Sequence, residues 1–319
     1  MDKFSIFPAS PTLSLPKAFI LLPICLIALI FFVLYPSSDL RPQSLLTAGC
    51  SEPPPTGETP LSPPDSDLRV LLGVLTVPDT FERRSIIRHA YRLQQPGLAN
   101  ARIDVRFVLC NLTTEEQRVL VAMEIMLYDD VIILDCAENV NDGKTYTYLS
   151  TLPRILPGGG GTTRPPYDYV VKTDDDTFYL LGKLSQTARG WPREDLYAGM
   201  RVPCRSTEGG FMSGMGYVLS WDLVEWISAS ELARRKMMGA EDIMVGAWLN
   251  EGGRGRNRFD MNPRMYDYPE GPDNCFRHEF IPDTIAVHKL KNNLKWAKTL
   301  QYFNLTRSLK PAAKHYHID

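Results

Sequence analysis

The chain has 319 residues, of which 44% are hydrophobic and 23% are charged, and its formal net charge at pH 7 is -2. A chain of this size and composition can bury a substantial hydrophobic core. Its near-neutral charge argues against nucleic acid as a partner, because proteins that bind nucleic acid normally present a strongly basic face.

An uncharged apolar run, AFILLPICLIALIFFVLY, occupies residues 18–35. In a helix this run would span about 27 Å at ~1.5 Å per residue, which suits the thin bilayer of the early secretory pathway. A cleaved signal peptide is the alternative, but its apolar core is usually only about 7–15 residues long and is followed by small residues. The sequence PSSDLRP that follows lacks that pattern. We therefore predict a transmembrane signal anchor at residues 18–35, after a short cytoplasmic tail at residues 1–17.

Flanking charges predict the orientation of this anchor. Lys3 and Lys17 precede the run and only Arg41 follows it closely, so the positive-inside rule places the N-terminus in the cytosol. The bulk of the chain would then be luminal, as in a single-pass type II membrane protein. Asn111 and Asn304, each followed by Leu-Thr, would be glycosylation acceptors in that compartment.

Residues 36–67 are rich in Pro, Ser and Thr and include SEPPPTGETPLSPPDSD. Such a segment cannot bury enough apolar surface to offset its chain entropy, so we predict a disordered stem there. A luminal domain is predicted at residues 68–300 and a C-terminal tail at residues 301–319. Within the domain, the tetraglycine at residues 158–161 predicts a surface loop, because no GK[ST] follows it.

Four cysteines lie in the predicted luminal domain: Cys110, Cys136, Cys204 and Cys275. They allow three pairings, among which the sequence does not choose, and buried free thiols are an equally open alternative. A zinc site is disfavoured because the sequence has no C-x-x-C.

Strand-like and helix-like segments alternate through the first half of the domain. Short runs of buried-strand length are LRVLLGVLTV, IDVRFVLC, DVIILDC and YDYVVKT. Between them, helical spacing or capping residues mark FERRSIIRHAYRLQ, TTEEQRVLVAMEIML and residues 146–155. This alternation predicts an α/β fold whose largely parallel sheet carries helices on both faces.

Three consecutive aspartates, Asp174, Asp175 and Asp176, follow the fourth predicted strand. Ligands of such sheets bind beyond the carboxyl ends of the strands. Carboxylates are hard donors that suit Mg²⁺ or Mn²⁺ together with substrate phosphates, whereas the spacing of a calcium loop is absent. A solvated acidic turn is the alternative, but this position favours a divalent-cation site.

Seven blocks of the domain occur in the order found in one known family. They are ERRSIIRHAY, YDDVIILDCAENVNDGKTYTYL, YVVKTDDDTFYL, LYAGM, FMSGMGYVLSWDLVEWI, GAEDIMVGAWL and IAVHKLK. Residues 68–296 thereby resemble the inverting β-1,3-galactosyltransferase family of Golgi glycosyltransferases, particularly its plant members. The resemblance implies the GT-A fold, a Rossmann-like mixed sheet flanked by helices, and a location in the Golgi membrane.

The resemblance also implies roles for the acidic triplet. Asp174 and Asp176 match the ends of the family's D-x-D motif. Asp176 would therefore bind Mn²⁺, with Mg²⁺ as the alternative, and Asp174 would reach the nucleotide ribose or a water on the metal. Asp175, between them, could do either job. His288, in the block IAVHKLK, matches a late histidine that approaches the metal in relatives, and a core or surface imidazole is the alternative.

The block GAEDIMVGAWL matches the family's E-D-V-x-x-G motif, in which the second acid is the catalytic base. This implies Asp242 as the base, with Glu241 as the alternative. Acids at the start of a helix also interact favourably with the positive end of its dipole, so a purely structural role is the alternative for both residues. A base beside an acceptor hydroxyl would remove its proton while the metal stabilises charge on the departing diphosphate.

Five further residues are predicted to contact substrate from the family's pattern: Arg83, Arg84, Arg88, Lys172 and Gly214. A solvated helix face is the alternative for the arginines, and a turn is the alternative for the glycine. The chain departs from the family at Ala90-Tyr91, at Leu180 and in the segment EGGFM. These departures concern the identity of the donor sugar and of the acceptor. The residues predicted to bind the metal and to act as the base are unchanged.

The activity implied is transfer of galactose from UDP-galactose to a glycan hydroxyl in β-1,3 linkage, with inversion at the donor sugar. Arabinogalactan or a glycoprotein glycan is the expected acceptor. Transfer of N-acetylglucosamine in β-1,3 linkage is the first alternative. A non-catalytic binding protein of the secretory pathway is the second, although it would have no need to keep the triplet together with Asp242 and His288. Glycoside hydrolysis by a carboxylate pair is disfavoured, because it would not explain the aspartate triplet or the predicted membrane anchor with its stem.

Overall fold

A computed structural model describes residues 67–156, 164–204 and 209–305. The predicted cytoplasmic tail, the anchor, nearly all of the stem and the tetraglycine loop lie outside these ranges. The same holds for the predicted C-terminal tail from residue 306 onward. Within the described ranges, no helix is long and apolar enough to cross a bilayer.

The strands and helices are numbered here in chain order. The strands are β1 (Leu68–Leu75), β2 (Ala101–Leu109), β3 (Val131–Ile133), β4 (Tyr169–Asp174), β5 (Phe178–Tyr179), β6 (Leu196–Val202), β7 (Phe211–Ser220), β8 (Asn257–Asp260), β9 (Met265–Asp267) and β10 (Ala286–His288). The helices are α1 (Phe81–Gln94), α2 (Glu115–Tyr128), α3 (Lys144–Ile155), α4 (Leu181–Ala188), α5 (Trp221–Ala229), α6 (Glu231–Arg235), α7 (Glu241–Glu251) and α8 (Asn293–Tyr302). The predicted strands β1 to β4 and helices α1 to α3 are confirmed.

The larger sheet has the strand order β3-β2-β1-β4-β7-β6-β8. Strands β1 to β4 are mutually parallel where they pair, as predicted. Strand β7 runs antiparallel to both β4 and β6, and β8 is parallel to β6, so the sheet as a whole is mixed. A smaller sheet has the order β5-β10-β9.

Hydrophobic side chains fill both faces of the larger sheet. In β1, Val70, Leu72 and Val74 join one core, whereas Leu71 and Leu75 join the other. Alternate residues of a strand point to opposite faces, so a nearly continuous apolar strand supplies both cores at once. Helix α1 contributes to the first core and α3 to the second. The described domain is therefore a mixed α/β fold with helices on both faces of a central sheet.

The strand order reverses at β1. The chain moves outward from β1 to β2 and β3, and then returns to place β4 on the other side of β1. In open α/β sheets the carboxyl ends of the two strands at such a reversal diverge and form a ligand crevice. Here those ends are Leu75, followed by Thr76, and Asp174.

The four cysteines form two disulfides, which settles the pairing that the sequence left open. Cys110 bonds to Cys136, with their Cα atoms 5.0 Å apart. Cys204 bonds to Cys275, with their Cα atoms 6.2 Å apart. The first bond joins the segment after β2 to the segment after β3, at the carboxyl edge of the sheet.

A buried arginine fastens α1 to α2. The side chain of Arg84 is fully buried, and its guanidinium donates to the carbonyls of Val77 (2.5 Å) and Pro78 (2.8 Å). Arg84 Nη2 also lies 2.6 Å from Glu124 Oε1 in α2. Arg88, one turn further along α1, contacts the other oxygen of Glu124 at 2.6 Å.

Replacing Arg84 tests how much these contacts between α1 and α2 contribute to the stability of the fold. We expect Arg84→Met to lower the free energy of unfolding by about 3–5 kcal/mol, because it leaves the carbonyl of Pro78 unpaired and removes one cation from Glu124. Arg118→Met is the control, since Arg118 is exposed and, within the described ranges, its guanidinium donates only to the carbonyl of Leu112. Its effect should stay within about 0.5 kcal/mol. Urea denaturation measures both, and equal losses would contradict the interpretation.

Candidate active site

The predicted metal ligands come together at the carboxyl edge of the sheet. Asp174 ends β4, Asp176 follows two residues later, and His288 ends β10. One ligand atom from each of the three lies within 4.8 Å of the others. Two carboxylates and one imidazole form a donor set that suits a divalent cation, and Asp176 Oδ1 lies only 3.4 Å from His288 Nε2. The geometry therefore fits a divalent-cation site.

A carboxylate that the sequence reasoning missed orients His288. Asp267, at the end of β9, accepts a hydrogen bond from His288 Nδ1 at 2.8 Å. Parallel pairing of β9 with β10 sets Asp267 opposite His288 in register, so the backbone enforces the contact. A carboxylate on one imidazole nitrogen fixes the ring and directs the other nitrogen toward a metal. Only strand pairing could have revealed this partner, because Asp267 lies outside the blocks that carry the resemblance.

Contacts within this cluster shift the pKa values of His288 and Asp176. Burial disfavours the imidazolium of His288, but contacts with Asp176 and Asp267 outweigh it and raise the pKa of His288 to about 9. Burial would likewise raise the pKa of Asp176, yet His288 and Lys291 hold that pKa well below its usual range. Lys291 Nζ lies 2.5 Å from Asp176 Oδ2, and its side chain is 70% exposed. The negative charge at Asp176 is thus compensated by an exposed lysine and a titratable histidine.

Asp175 faces away from the cluster. Its Oδ2 accepts hydrogen bonds from Thr76 Oγ1 at 2.6 Å and from Thr80 Oγ1 at 3.3 Å. These threonines belong to the segment between β1 and α1, so Asp175 spans the crevice where the strand order reverses. Burial raises the pKa of Asp175, and the hydrogen bond from Thr76 opposes that rise. The three aspartates therefore divide between two environments.

The three arginines predicted to contact substrate lie in two different environments. Arg83 reaches the triplet, because its guanidinium donates to the carbonyl of Asp175 at 3.5 Å and to the carbonyl of Lys291 at 2.9 Å. Arg84 and Arg88 instead pair with carboxylates of α2 and of the residues that follow it, as described above for Glu124. Only Arg83 is positioned at the candidate site.

Helix α7 begins with the two acids proposed as base candidates. Glu241 is only 8% exposed, and both of its oxygens are engaged: Oε1 accepts from Lys172 Nζ at 2.6 Å and Oε2 accepts from Tyr217 Oη at 2.9 Å. Asp242 is more exposed, and its Oδ2 accepts from the backbone N–H of Gly214 at 2.9 Å. Of the two carboxylates, Asp242 is the one that can meet a substrate.

Lys172 joins the two halves of the site. Its side chain is 1% exposed, and its ammonium donates to Asp174 Oδ1 at 2.9 Å as well as to Glu241. Burial alone would lower the pKa of Lys172, but Asp174 and Glu241 outweigh burial and raise that pKa above its usual range. Lys172 is therefore a buried cation between helix α7 and the group formed by Asp174, Asp176 and His288.

Gly214 lies between the two acids of α7. A Cβ atom added to it would come 2.7 Å from Glu241 Oε1 and 3.3 Å from Asp242 Oδ2. A side chain at this position would thus push the Glu241 carboxylate away from Lys172, so glycine allows the close approach of α7 to β7. Gly216, in the same strand, is restricted in the same way by the hydroxyl of Tyr179.

A second buried lysine, which the sequence reasoning also missed, lies near the crevice. Lys144, at the start of α3, donates to the carbonyl of Thr76 and to Glu138 Oε2, each at 2.5 Å. Burial lowers the pKa of Lys144. Glu138 in turn accepts from the backbone N–H of Cys110. These contacts tie the carboxyl ends of β1 and β2 to α3.

The remaining predicted positions lie at the surface or in the core. Asn111 and Asn304 are both exposed, and their glycosylation stays a prediction. Tyr217 and Trp221, two aromatic residues of the same blocks, are buried in the core.

Comparisons with known proteins bear on the class of this protein. The galactosyltransferase family model matches residues 82–207. Beta-1,3-galactosyltransferase pvg3 of Schizosaccharomyces pombe is 25% identical over 279 residues, which cover 72% of each chain. Hydroxyproline O-galactosyltransferase GALT5 of Arabidopsis thaliana is 23% identical over 205 residues, which cover 58% of this chain and 29% of that protein.

Among solved structures, galactosyltransferase LgtC in complex with donor and acceptor sugar analogs aligns with 77% of this chain and 97% of its own. The identity is 12% and the TM-score is 0.42, so the fold assignment above relies on the sheet topology and not on this likeness. The family model and the two sequence relatives carry the assignment of class. The match of residues 82–207 to the galactosyltransferase family model, together with these two relatives, identifies the chain as a hexosyltransferase.

Proposed function

We propose that this protein is a metal-dependent inverting galactosyltransferase. It would transfer galactose from UDP-galactose to a glycan hydroxyl in β-1,3 linkage, on a domain of the GT-A type. One observation carries the proposal: the cation-ligand cluster of Asp174, Asp176 and His288 is joined through Lys172 to the helix that begins with Asp242. The printed activity of the pvg3 relative supports the galactose donor and the β-1,3 linkage.

The chain's own residues divide the work. Asp174, Asp176 and His288 would hold Mn²⁺, with Mg²⁺ as the alternative, and an imidazole among the ligands favours Mn²⁺ because Mg²⁺ prefers oxygen donors. Once bound, that cation supplies stabilisation for the negative charge that develops on the departing diphosphate. Asp175 and Arg83 flank the crevice at the strand reversal, where the nucleotide would lie.

Asp242 would act as the general base. The backbone N–H groups of Gly214 and Ile243 each hold one of its oxygens at 2.9 Å, so the carboxylate has a defined orientation. It would take the proton of the acceptor hydroxyl as that oxygen attacks the anomeric carbon from the side opposite the diphosphate, which inverts the α-linked donor to a β-linkage. Glu241 is a poorer base, because Lys172 and Tyr217 occupy both of its oxygens.

The acceptor and the location remain part of the proposal. A hydroxyproline-linked or arabinogalactan acceptor is supported by the printed name of the GALT5 relative. A Golgi membrane location, with the N-terminus in the cytosol, is supported by the apolar run at residues 18–35 and its flanking lysines.

A donor-by-acceptor screen tests the function directly. The purified protein, incubated with Mn²⁺ and a panel of UDP-sugars and glycan acceptors, should transfer galactose, and linkage analysis should find a β-1,3 bond. Preferential transfer of N-acetylglucosamine would replace the proposed donor. Absence of UDP binding in the presence of Mn²⁺ would favour the non-catalytic alternative.

The base assignment predicts a large effect of one substitution. Asp242→Asn should lower kcat by about 10²–10⁴-fold, because an amide cannot accept the hydroxyl proton. Glu251→Gln, at the other end of α7, is the matched control, since Glu251 is exposed and pairs only with Lys236 among the described residues. Its kcat should stay within about twofold of the unaltered protein. Equal activity of the two variants in steady-state assays would refute Asp242 as the base.

The orienting role of Asp267 predicts an effect on metal affinity. Asp267→Asn should weaken Mn²⁺ binding by about 10–100-fold, the usual cost of losing a carboxylate behind a ligating histidine. Asp283→Asn is the control, because Asp283 is 57% exposed and pairs with Lys183 and Arg264. Calorimetric titration with Mn²⁺ measures both, and matching affinities would argue against a metal-orienting role.

The raised pKa of His288 predicts how metal binding depends on pH. The pKa of His288 rises from 6.5 to about 9 in the folded, metal-free protein. Its protonation therefore stabilises the fold fully below pH 6.5, and this contribution is lost as the pH rises through about 9. A metal needs the neutral imidazole, so Mn²⁺ affinity should increase with pH up to about 9 and each binding event should release a proton.

Titrations of Mn²⁺ at several pH values, in buffers of different ionisation enthalpy, measure the affinity and the protons released. His288→Gln removes the titrating group without adding charge and should flatten the dependence in this range. A dependence that survives unchanged in that variant would assign the protons to another group.

A further inference from the structure

Lys172 has no free hydrogen with which to bind a substrate. An ammonium carries three N–H donors. Lys172 Nζ contacts three acceptors: Asp174 Oδ1 at 2.9 Å, the carbonyl of Gly214 at 2.8 Å and Glu241 Oε1 at 2.6 Å. The side chain is 1% exposed, so solvent and substrate do not compete for these bonds. The sequence pattern suggested a substrate contact, whereas the geometry points to a different role.

The three acceptors belong to the three parts of the site. Asp174 belongs to the cation-ligand cluster, Glu241 opens α7, and Gly214 lies on β7. Gly214 links Lys172 to Asp242, because its carbonyl accepts a hydrogen bond from Lys172 while its N–H donates one to Asp242. Lys172 thus reaches the base candidate along two routes, one through Glu241 and the chain of α7 and one through Gly214.

Strand geometry explains why a lysine can make this connection. Lys172 and Asp174 are two residues apart in β4, so their side chains leave the same face of the sheet. Antiparallel pairing places Tyr217 of β7 opposite Lys172, and the Tyr217 hydroxyl holds the second oxygen of Glu241. A strand, its neighbour and a helix terminus therefore meet at one buried ammonium.

We propose that Lys172 is a positioning residue that sets the distance between the cation site and the catalytic base. By engaging Asp174 Oδ1, it leaves Asp174 Oδ2 for the cation or the nucleotide. By engaging Glu241 and Gly214, it holds the start of α7 so that Asp242 faces the acceptor hydroxyl. This inference rests on the proposed function, and it assigns to Lys172 an effect on kcat that is much larger than its effect on the KM for the donor.

Charge balance is the competing explanation. A buried ammonium between two carboxylates would also neutralise them, and its removal would destabilise the fold whether or not it positions anything. The double variant Lys172→Met with Glu241→Gln separates the two roles, because it removes one cation and one anion together. If charge balance is the whole role, the double variant should recover both stability and rate.

Steady-state kinetics of four variants test the proposal. Lys172→Met should lower kcat by about 100-fold, the scale expected for a small displacement of reacting groups, with the KM for UDP-galactose within about threefold. Glu241→Gln keeps an acceptor for Lys172, and its kcat should fall less than about tenfold. The double variant should regain the Tm of the unaltered protein but keep the loss in kcat. Recovery of kcat together with Tm would overturn the proposal, as would a rise in KM with kcat unchanged.

Arg84→Met is the control for loss of a buried cation outside the site. Arg84 is fully buried, and it contacts Glu124 of α2 and the carbonyls of Val77 and Pro78. Its Tm should fall clearly, while its kcat should fall less than about tenfold because it has no contact with α7. A kcat loss equal to that of Lys172→Met would show that the effect is not specific to Lys172, and the proposal would fail.

A structural measurement decides the inference even if the proposed function fails. Hydrogen exchange of the backbone amides at residues 241–245 reports the order of the first turn of α7. In the double variant this exchange should be at least about tenfold faster than in Glu241→Gln alone, with or without Mn²⁺ and UDP. Equal exchange would overturn the positioning role. Lack of turnover in the unaltered protein, with the exchange difference present, would reject the proposed function alone.

Discussion

The site depends on one electrostatic constraint: several carboxylates crowd one cleft, and each must be compensated before the chain can fold. Fixed cations from the protein meet part of this demand, as when Lys172 sits between Asp174 and Glu241. At Asp176 the compensation comes instead from an exposed lysine and a titratable histidine. Lys291, the exposed partner of Asp176, is accessible to solvent, whereas Lys172 is almost fully buried. The two lysines therefore compensate carboxylates of the same cleft in different ways.

The sheet topology creates the cleft where this constraint applies. Reversal of the strand order at β1 separates the carboxyl ends of β1 and β4, and the acidic triplet follows β4 directly. Asp175 turns toward β1, and its neighbours turn toward β10 and α7. Antiparallel β7 then brings Gly214 beside the start of α7, where a side chain would press on the Glu241 carboxylate. Asp174, Asp176 and His288 on one side and Asp242 on the other are thereby brought near the carboxyl end of β4.

Much of the fold was predictable because its signals are local. Apolar runs of strand length, the capping threonines of α2 and the alternation of strands with helices all arise from neighbouring residues, and each was confirmed. Residues such as Asp267 and Lys144 gave no such signal, since their importance comes from partners far away in the chain. The division of the arginines, with Arg83 at the site and Arg84 buried against α2, was equally invisible, because all three occupy one helical segment.

By itself, the sequence determined the α/β class, the first seven elements, the place of the acidic triplet and the resemblance that named the metal and base candidates. Only the tertiary structure decided the disulfide pairing, the antiparallel half of the sheet, the partner of His288 and the saturation of Lys172. The reason is physical: local propensity acts over a few residues, whereas pairing and buried electrostatics depend on which distant segments share a desolvated space.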